Sequence, residues 1–229
     1  MEPQYKAIAD HALMVSFAEE ISEDAHAKVV ALDTAIGADM PAGVIETVPA
    51  LVNLLVSFDP METDHIAVEA QVRACLGRMT VQNVAGIERT VKVCYEPPFA
   101  PDLEAVAAAT GLTSDAIINA HLAGEFKVLM YGFAPGYAYL SGVPKLIQVP
   151  RKTKPVRDVP AGSVVIAGPQ CLITTLTMPT GWSIIGRSPT AIFTNDATHP
   201  FLFDVGDRVV FERIDAAMLE RLGQGGDHG

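Results

Sequence analysis

The chain is predicted to be an α+β protein in two parts: a ferredoxin-like α/β sandwich over residues 1–96, then a β-barrel over residues 97–229 introduced by two short helices. Three observations carry this. Through residue 95, apolar residues recur at strand and helix spacings in the order strand, helix, strand, strand, helix, strand, which is the split βαβ pattern. Pro97, Pro98 and Pro101 then interrupt it. From Phe126 to Phe211 the chain reads as short apolar strands between Gly and Pro turns, as in a small barrel or sandwich.

Each element has a local reason. Leu13, Val15 and Phe17 alternate on one face of a first strand. Ser22 is a helix N-cap, with Glu23 and Asp24 in the first turn where the dipole favours negative charge. Ala25, Val29, Leu32 and Ile36 follow at helical spacing, and Gly37 is expected to stop the helix. Residues 44–48 and 51–58 read as strands. Thr63 is expected to cap a second helix running to Met79, with Ile66, Ala70 and Leu76 facing inward. Residues 88–95 are expected to complete the first sheet. Short helices at 102–110 and 114–123 follow, the first halted by Gly111, and the closing QGGDHG reads as a flexible tail.

Composition narrows the function classes. Hydrophobic residues make up 49% and charged residues 19%, enough apolar content for a sizeable core. The net charge of −11 disfavours non-specific binding to nucleic acid or to an anionic membrane. Against that acidity, residues 145–157 gather Lys145, Arg151, Lys152, Lys154 and Arg157 without an acidic residue. Cys75, Cys94 and Cys171 are widely spaced, so neither a disulfide framework nor a zinc site is indicated. The N-terminal residues lack the basic-then-apolar pattern of a signal peptide, and no apolar run reaches the ~20 residues of a membrane span. A soluble, cytoplasmic setting is the expectation.

Standard catalytic signatures are missing from the sequence: GxxxxGK(S/T), GxGxxG after a strand, GxSxG and HExxH. What the chain offers is a concentration of aromatic and cationic residues in its distal half. Phe133, Tyr137 and Tyr139 surround Pro135-Gly136, an apolar wall with two hydroxyl tips and a glycine that lets a ligand near the backbone. Packing of the same rings into the barrel core is the alternative. Arg151 follows Pro150 at the end of a strand, so its direction is constrained. Lys152 and Lys154 read as a solvated surface run. Arg187 lies in the tight turn IIGRSP, and Gln170 follows Gly168-Pro169. Trp182 floors a pocket or plugs a barrel end. His121, on the second short helix, has the near-neutral pKa of a proton-transfer group, or is an ordinary helix histidine bonded to a carbonyl.

These residues carry a resemblance. GFAPGYAYLSG (132–142), VPAGSVVIAGPQ (159–170), PTGW (179–182), IIGRSP (184–189), GDRVVF (206–211) and the His of INAHLAGEFKV (118–128) resemble the family of the 5-oxoprolinase B subunit. That family is also known as allophanate hydrolase subunit 1 and includes the kinase inhibitor KipI. The chain departs from the family pattern at Gly168-Pro169-Gln170, where Gly-Gly-Gln is usual, and at Pro179-Thr180-Gly181-Trp182, where Pro-Gly-Gly-Trp is usual.

The resemblance implies a cyclophilin-like β-barrel and partnership with two further 5-oxoprolinase subunits, a homologous one designated C and a separate one designated A. It implies a reaction that opens 5-oxo-L-proline, a small carboxylate, to L-glutamate at the expense of ATP. The ATP, with Mg, is expected to be shared with the partner, and no metal ligand is expected in this chain. By the same route Arg151 and Arg187 are expected to contact anions, Gln170 to donate from its amide and His121 to move a proton. Phe133, Pro135, Gly136, Tyr137, Tyr139 and Trp182 are expected to form the substrate wall. The alternative is a KipI-like inhibitor that grips a sensor histidine kinase without catalysis. Peptidyl-prolyl isomerase activity rests on the barrel analogy alone.

Overall fold

A computed structural model describes residues 2–81 and 86–224. The chain divides into two compact units, Met1–Val84 and Ala85–Gly229.

In the first unit, strands β1 (Gln4–Ile8), β2 (Ala12–Ser16), β3 (Val44–Pro49) and β4 (Asn53–Phe58) form an antiparallel sheet ordered β1-β2-β4-β3. Helices α1 (Glu23–Ala38) and α2 (His65–Arg78) cover one face. Alternation on β2 and β4 sends Leu13, Val15, Leu54 and Val56 into a core shared with Val29, Leu32 and Ile36 of α1. Ser22 caps α1 as expected, its hydroxyl accepting from the Ala25 N–H at 3.1 Å.

Several expectations for this unit need correction. Gly37 stays inside α1, which runs on to Ala38. Asp64, one residue past Thr63, caps α2, with its carboxylate accepting from the Ala67 N–H at 2.8 Å. That sets the helix phase: Val68, Val72 and Cys75 are buried, while Ile66 and Ala70 are exposed. The last strand of the expected sandwich is elsewhere. Residues Glu88–Cys94 (β5) pair in the barrel, and the sheet edge beside β2 is taken by β1, with Tyr5 opposite Val15. With that edge occupied, β5 finds partners on both sides only in the second unit.

The second unit is a closed seven-strand barrel flanked by helices. It holds α3 (Leu103–Thr110), α4 (Ser114–Leu122), β6 (Phe126–Tyr131), β7 (Ala138–Ser141), β8 (Val156–Val159), β9 (Ser163–Ala167), β10 (Gln170–Ile173), β11 (Met178–Thr180), β12 (Ser183–Arg187), β13 (Arg208–Ile214) and α5 (Ala216–Gln224). The barrel order is β10-β7-β6-β13-β5-β12-β9, and β8 with β11 forms a separate ribbon. The two short helices lie where the sequence places them, and Gly111 ends α3 in the left-handed conformation at φ 72°. The tail from 225 onward, expected to be flexible, lies outside the described residues, and α5 just before it is an element the sequence reading did not contain.

Closure depends on the parallel pairing of β5 with β13, from Arg208 opposite Glu88 to Ile214 opposite Cys94. Asp207 locks its start. Its buried carboxylate accepts from the Ile87 N–H at 2.8 Å, the Arg89 Nε at 2.9 Å and the Asp204 N–H at 3.0 Å. Replacing Asp207 by Ala strands these donors and leaves the mostly buried Arg89 without its closest counter-charge. The expected loss is about 3–5 kcal/mol of unfolding free energy, checked by urea denaturation.

Candidate functional site

The strands of the barrel sort their side chains onto two faces. Val164, Ile166, Cys171, Ile173 and Ile185 point into the closed interior. Val165, Ala167, Leu172 and Ile184 point outward, where they meet Tyr137, Val159 and Trp182 in a separate apolar cluster. On this outer face a recess of about 140 Å³ is lined by Phe133, Tyr137, Tyr139, Arg151, Leu172 and the turn Pro179–Trp182. It is smaller than the ~300–1,000 Å³ of sites for drug-sized ligands, and so suits a small molecule or a single side group.

Trp182 is the wall against which the other groups are set. Tyr139 meets its indole edge-on at 5.9 Å, and the Arg151 guanidinium lies 5.4 Å from the ring centroid, within cation–π range. The position of Arg151 follows from its neighbour. Lys152 donates its backbone N–H to the Gly181 carbonyl at 2.7 Å, and its ammonium pairs with Asp102. Asp102 also accepts from the Ile184 N–H at 2.7 Å, tying the start of α3 to β12. With Lys152 held on that side, exposed Arg151 serves the recess.

Phe133 forms the rim. Its φ is +72°, and the Ala134 N–H bonds the Gly132 carbonyl at 2.9 Å. This is the γ-turn of positive central φ, which is strained and rare. It holds the ring 76% exposed and 5.7 Å from Tyr137. Burial pushes the Tyr137 phenol up to about 12, with Tyr139 adding to the rise. Burial also raises Tyr139, against the pull of Arg151. Both phenols are therefore neutral hydroxyls near pH 7. The recess offers one fixed cation, two neutral hydroxyl-bearing rings and an indole: a seat for a small, flat, negatively charged group.

The sequence-predicted site residues divide accordingly. Phe133, Tyr137, Tyr139, Arg151 and Trp182 come together. Pro135 lies outside the lining, its carbonyl accepting from the Thr175 hydroxyl at 2.7 Å. Gly136 serves packing rather than ligand approach. At φ +73°, a methyl there would sit 3.1 Å from Thr175 Cγ2 and 3.4 Å from Phe201 Cδ1. Gln170 shares the outer face with Leu172 but stands two residues along β10, beyond the recess. Arg187 ends β12 apart from the lining.

His121 is the largest departure. It is fully buried inside the barrel among Tyr95, Phe126, Phe211 and Cys171. Its Nδ1 is bonded to the Tyr95 hydroxyl at 2.8 Å, and burial pushes its pKa down to about 3. A ligand in the outer recess does not touch this imidazole. The amphipathic spacing of α4 (Ile117, Ile118 and His121 are its buried residues) carried that signal in the sequence. Leu172 and the Pro179–Gly181 backbone are lining groups the sequence reading missed. The outward alternation of β10 and the PTGW turn point to them.

The family of the carboxyltransferase domain, subdomain C and D, matches residues 3–203. A Bacillus subtilis (strain 168) protein named as the B subunit of 5-oxoprolinase is 37% identical over 223 residues, 92% of each chain. Among solved structures, TTHA0988 superposes with a TM-score of 0.78 at 29% identity, over 90% of this chain. The urea amidolyase of K. lactis superposes with a TM-score of 0.85 at 16% identity over 98% of this chain, a likeness of fold alone. This chain spans 40% of the TTHA0988 chain and 16% of the urea amidolyase chain.

Burial of His121 makes stability depend on pH in a stated direction. The unfolded state takes up a proton near the ordinary histidine value of about 6.5, and the folded state only near 3, so stability falls as pH drops from 6.5 toward 3. Between pH 6.5 and 5 this group contributes a loss of about 2 kcal/mol. Urea unfolding at pH 7, 6 and 5 should show a shallower acid slope in His121→Leu than in the unmodified chain.

Proposed function

Because the chain belongs to the family of the carboxyltransferase domain, subdomain C and D, and to its branch of 5-oxoprolinase B subunits, we propose that it is the B subunit of an ATP-dependent 5-oxoprolinase. Its partners in this reading are the A and C subunits, the second of them a homologous barrel, in the cytoplasm. The observation that carries the proposal is the Arg151 guanidinium set over Trp182 at an aromatic recess of about 140 Å³.

The recess matches the chemistry of 5-oxo-L-proline, a flat five-membered lactam bearing one carboxylate. Arg151 offers the carboxylate a charge-assisted pair, and guanidinium N–H groups suit both oxygens at once. Trp182 and Tyr139 give the ring apolar faces, and the neutral Tyr139 hydroxyl is a donor for the lactam oxygen. In the overall reaction water adds to the lactam carbonyl carbon, the carbon–nitrogen bond breaks and the ring nitrogen gains a proton, leaving L-glutamate. The role assigned to this chain is to bind and orient the ring and keep water off its apolar faces.

The Trp182 recess does not by itself fit ATP. The recess has one cation and is below the size of ordinary ligand pockets, and the described residues contain no group of three or more His, Cys, Asp or Glu able to hold a metal ion. Nucleotide and Mg are accordingly assigned to a site completed by the partner subunits. Proton transfer to the ring nitrogen goes with them, because His121 is sealed in the barrel.

The test is reconstitution with the A and C subunits, reading ADP release with and without 5-oxoproline. Arg151→Gln is expected to raise the KM for 5-oxoproline by about 10–100-fold with little change in kcat, as for a lost carboxylate contact. An unchanged KM removes Arg151 and its recess from substrate binding. ADP release that ignores 5-oxoproline ends the proposal.

A further inference from the structure

Asp102 stands at the N-cap position of α3, yet its carboxylate does not cap that helix. At the same position of their own helices, Ser22, Asp64 and Thr113 each accept from the backbone N–H three residues on, at Ala25, Ala67 and Ala116. Aspartate is among the best residues for that task, so α3 forgoes stability that was within reach. A local rule broken in this way marks a side chain with work elsewhere.

That work is in the barrel wall. Ile184 gives both of its backbone groups to Asp102: its N–H donates to the carboxylate at 2.7 Å, and its carbonyl accepts from the Asp102 N–H at 3.0 Å. This part of β12 needs a partner there, because β5 meets β12 only at Arg187, opposite Cys94. The same carboxylate pairs with the Lys152 ammonium, the two side chains being 20% and 21% exposed. Water and salt screen such a pair less than one at the open surface.

These bonds join the two segments that build the Trp182 recess. Trp182 lies two residues before Ile184, and Arg151 one residue before Lys152. The segments touch directly where the Lys152 N–H meets the Gly181 carbonyl, and a methyl on Gly181 would sit 3.6 Å from the Lys152 carbonyl oxygen. Asp102 clamps them together on one side of that contact. Arg151 itself is exposed, and among the described residues its contact is the cation–π approach to Trp182 at 5.4 Å. A cation–π contact at an exposed site is weak, so it does not by itself hold a long side chain in one place. Asp102 is absent from the lining of the recess, so any effect it has on a ligand passes through these neighbours.

We infer that Asp102 is a positioning residue for the Trp182 recess: acting through Lys152, it sets the place of the Arg151 guanidinium over the indole without touching the ligand. Asp102→Asn keeps an oxygen for the Ile184 N–H and removes the charge that holds Lys152, and Lys152→Gln breaks the same pair from its other end. Trp182 is the chain's single tryptophan, so its emission reads the recess directly. In the isolated whole chain, Arg151→Gln should change the intensity of that emission, and Asp102→Asn and Lys152→Gln should each change it in the same direction. Combining either with Arg151→Gln should add nothing, because all act through one guanidinium. In the complex reconstituted with the A and C subunits, Asp102→Asn should raise the KM for 5-oxoproline by about three- to tenfold with little change in kcat, and should add nothing to Arg151→Gln. This kinetic arm rests on the 5-oxoproline reading, and the fluorescence arm does not. An unchanged KM in Arg151→Gln counts against that reading, while the emission still decides the role of Asp102. The inference is overturned if Arg151→Gln leaves the emission unchanged, or if neither Asp102→Asn nor Lys152→Gln alters it. Changes that add to that of Arg151→Gln overturn it too, as does a KM that Asp102→Asn leaves in place where Arg151→Gln raises it. A purely structural Asp102 would instead lower the unfolding midpoint and leave emission and KM of the folded protein as they were.

Discussion

Closure of the seven-strand barrel is the constraint from which the second unit follows. Once β5 pairs in parallel with β13, each of the seven barrel strands has a partner on each side, and successive residues must point either into a sealed interior or onto an outer wall. The interior is filled by Val164, Ile166, Cys171 and Ile185, with His121 among them. The outer wall receives Val165, Leu172 and Ile184, and there the aromatic residues of the loops find an apolar floor. Chemistry can reach only the second set. A titratable residue therefore has its role decided by the parity of its position as much as by its side chain.

Asp102 links this wall to the loops that make it a site. One carboxylate, at the start of α3, receives the Ile184 N–H from the barrel and the Lys152 ammonium from the basic segment. The basic run is thereby split. Lys152 is neutralised on the inner side, while Arg151, one residue earlier, keeps its charge for the recess. Two cations next to each other in sequence have opposite uses because one acid chooses between them.

How much of this was legible in the sequence differs between levels. The alternation of Leu13, Val15 and Phe17, the Ser22 cap, the Gly111 stop and the change to short strands after Phe126 follow from local spacing, and they appear where spacing puts them. The destination of Glu88–Cys94 does not follow from spacing. A strand with Val91 and Val93 inward suits either sheet, and the matter is settled by β1 occupying the edge beside β2. Among candidate site residues, the aromatic group around Tyr137 and the pair Arg151 and Trp182 were readable because Pro and Gly fix the turns that present them. His121 misled because its residue type suggests proton transfer, whereas the helix face it occupies points into the barrel. Gln170 and Arg187 are on β10 and β12, but distances along and between strands are set by tertiary register, which residue identity does not encode.

The tight turn at Phe133 has a bearing on how the mouth of the recess behaves. A ring left so open to solvent would ordinarily swing among rotamers, and a visiting molecule would have to still it on arrival. Here the main chain beneath it is clamped between the Gly132–Ala134 bond and the Thr175–Pro135 bond, so much of that quieting is done at folding. An incoming guest meets a doorframe already set, and less of its grip is spent on carpentry.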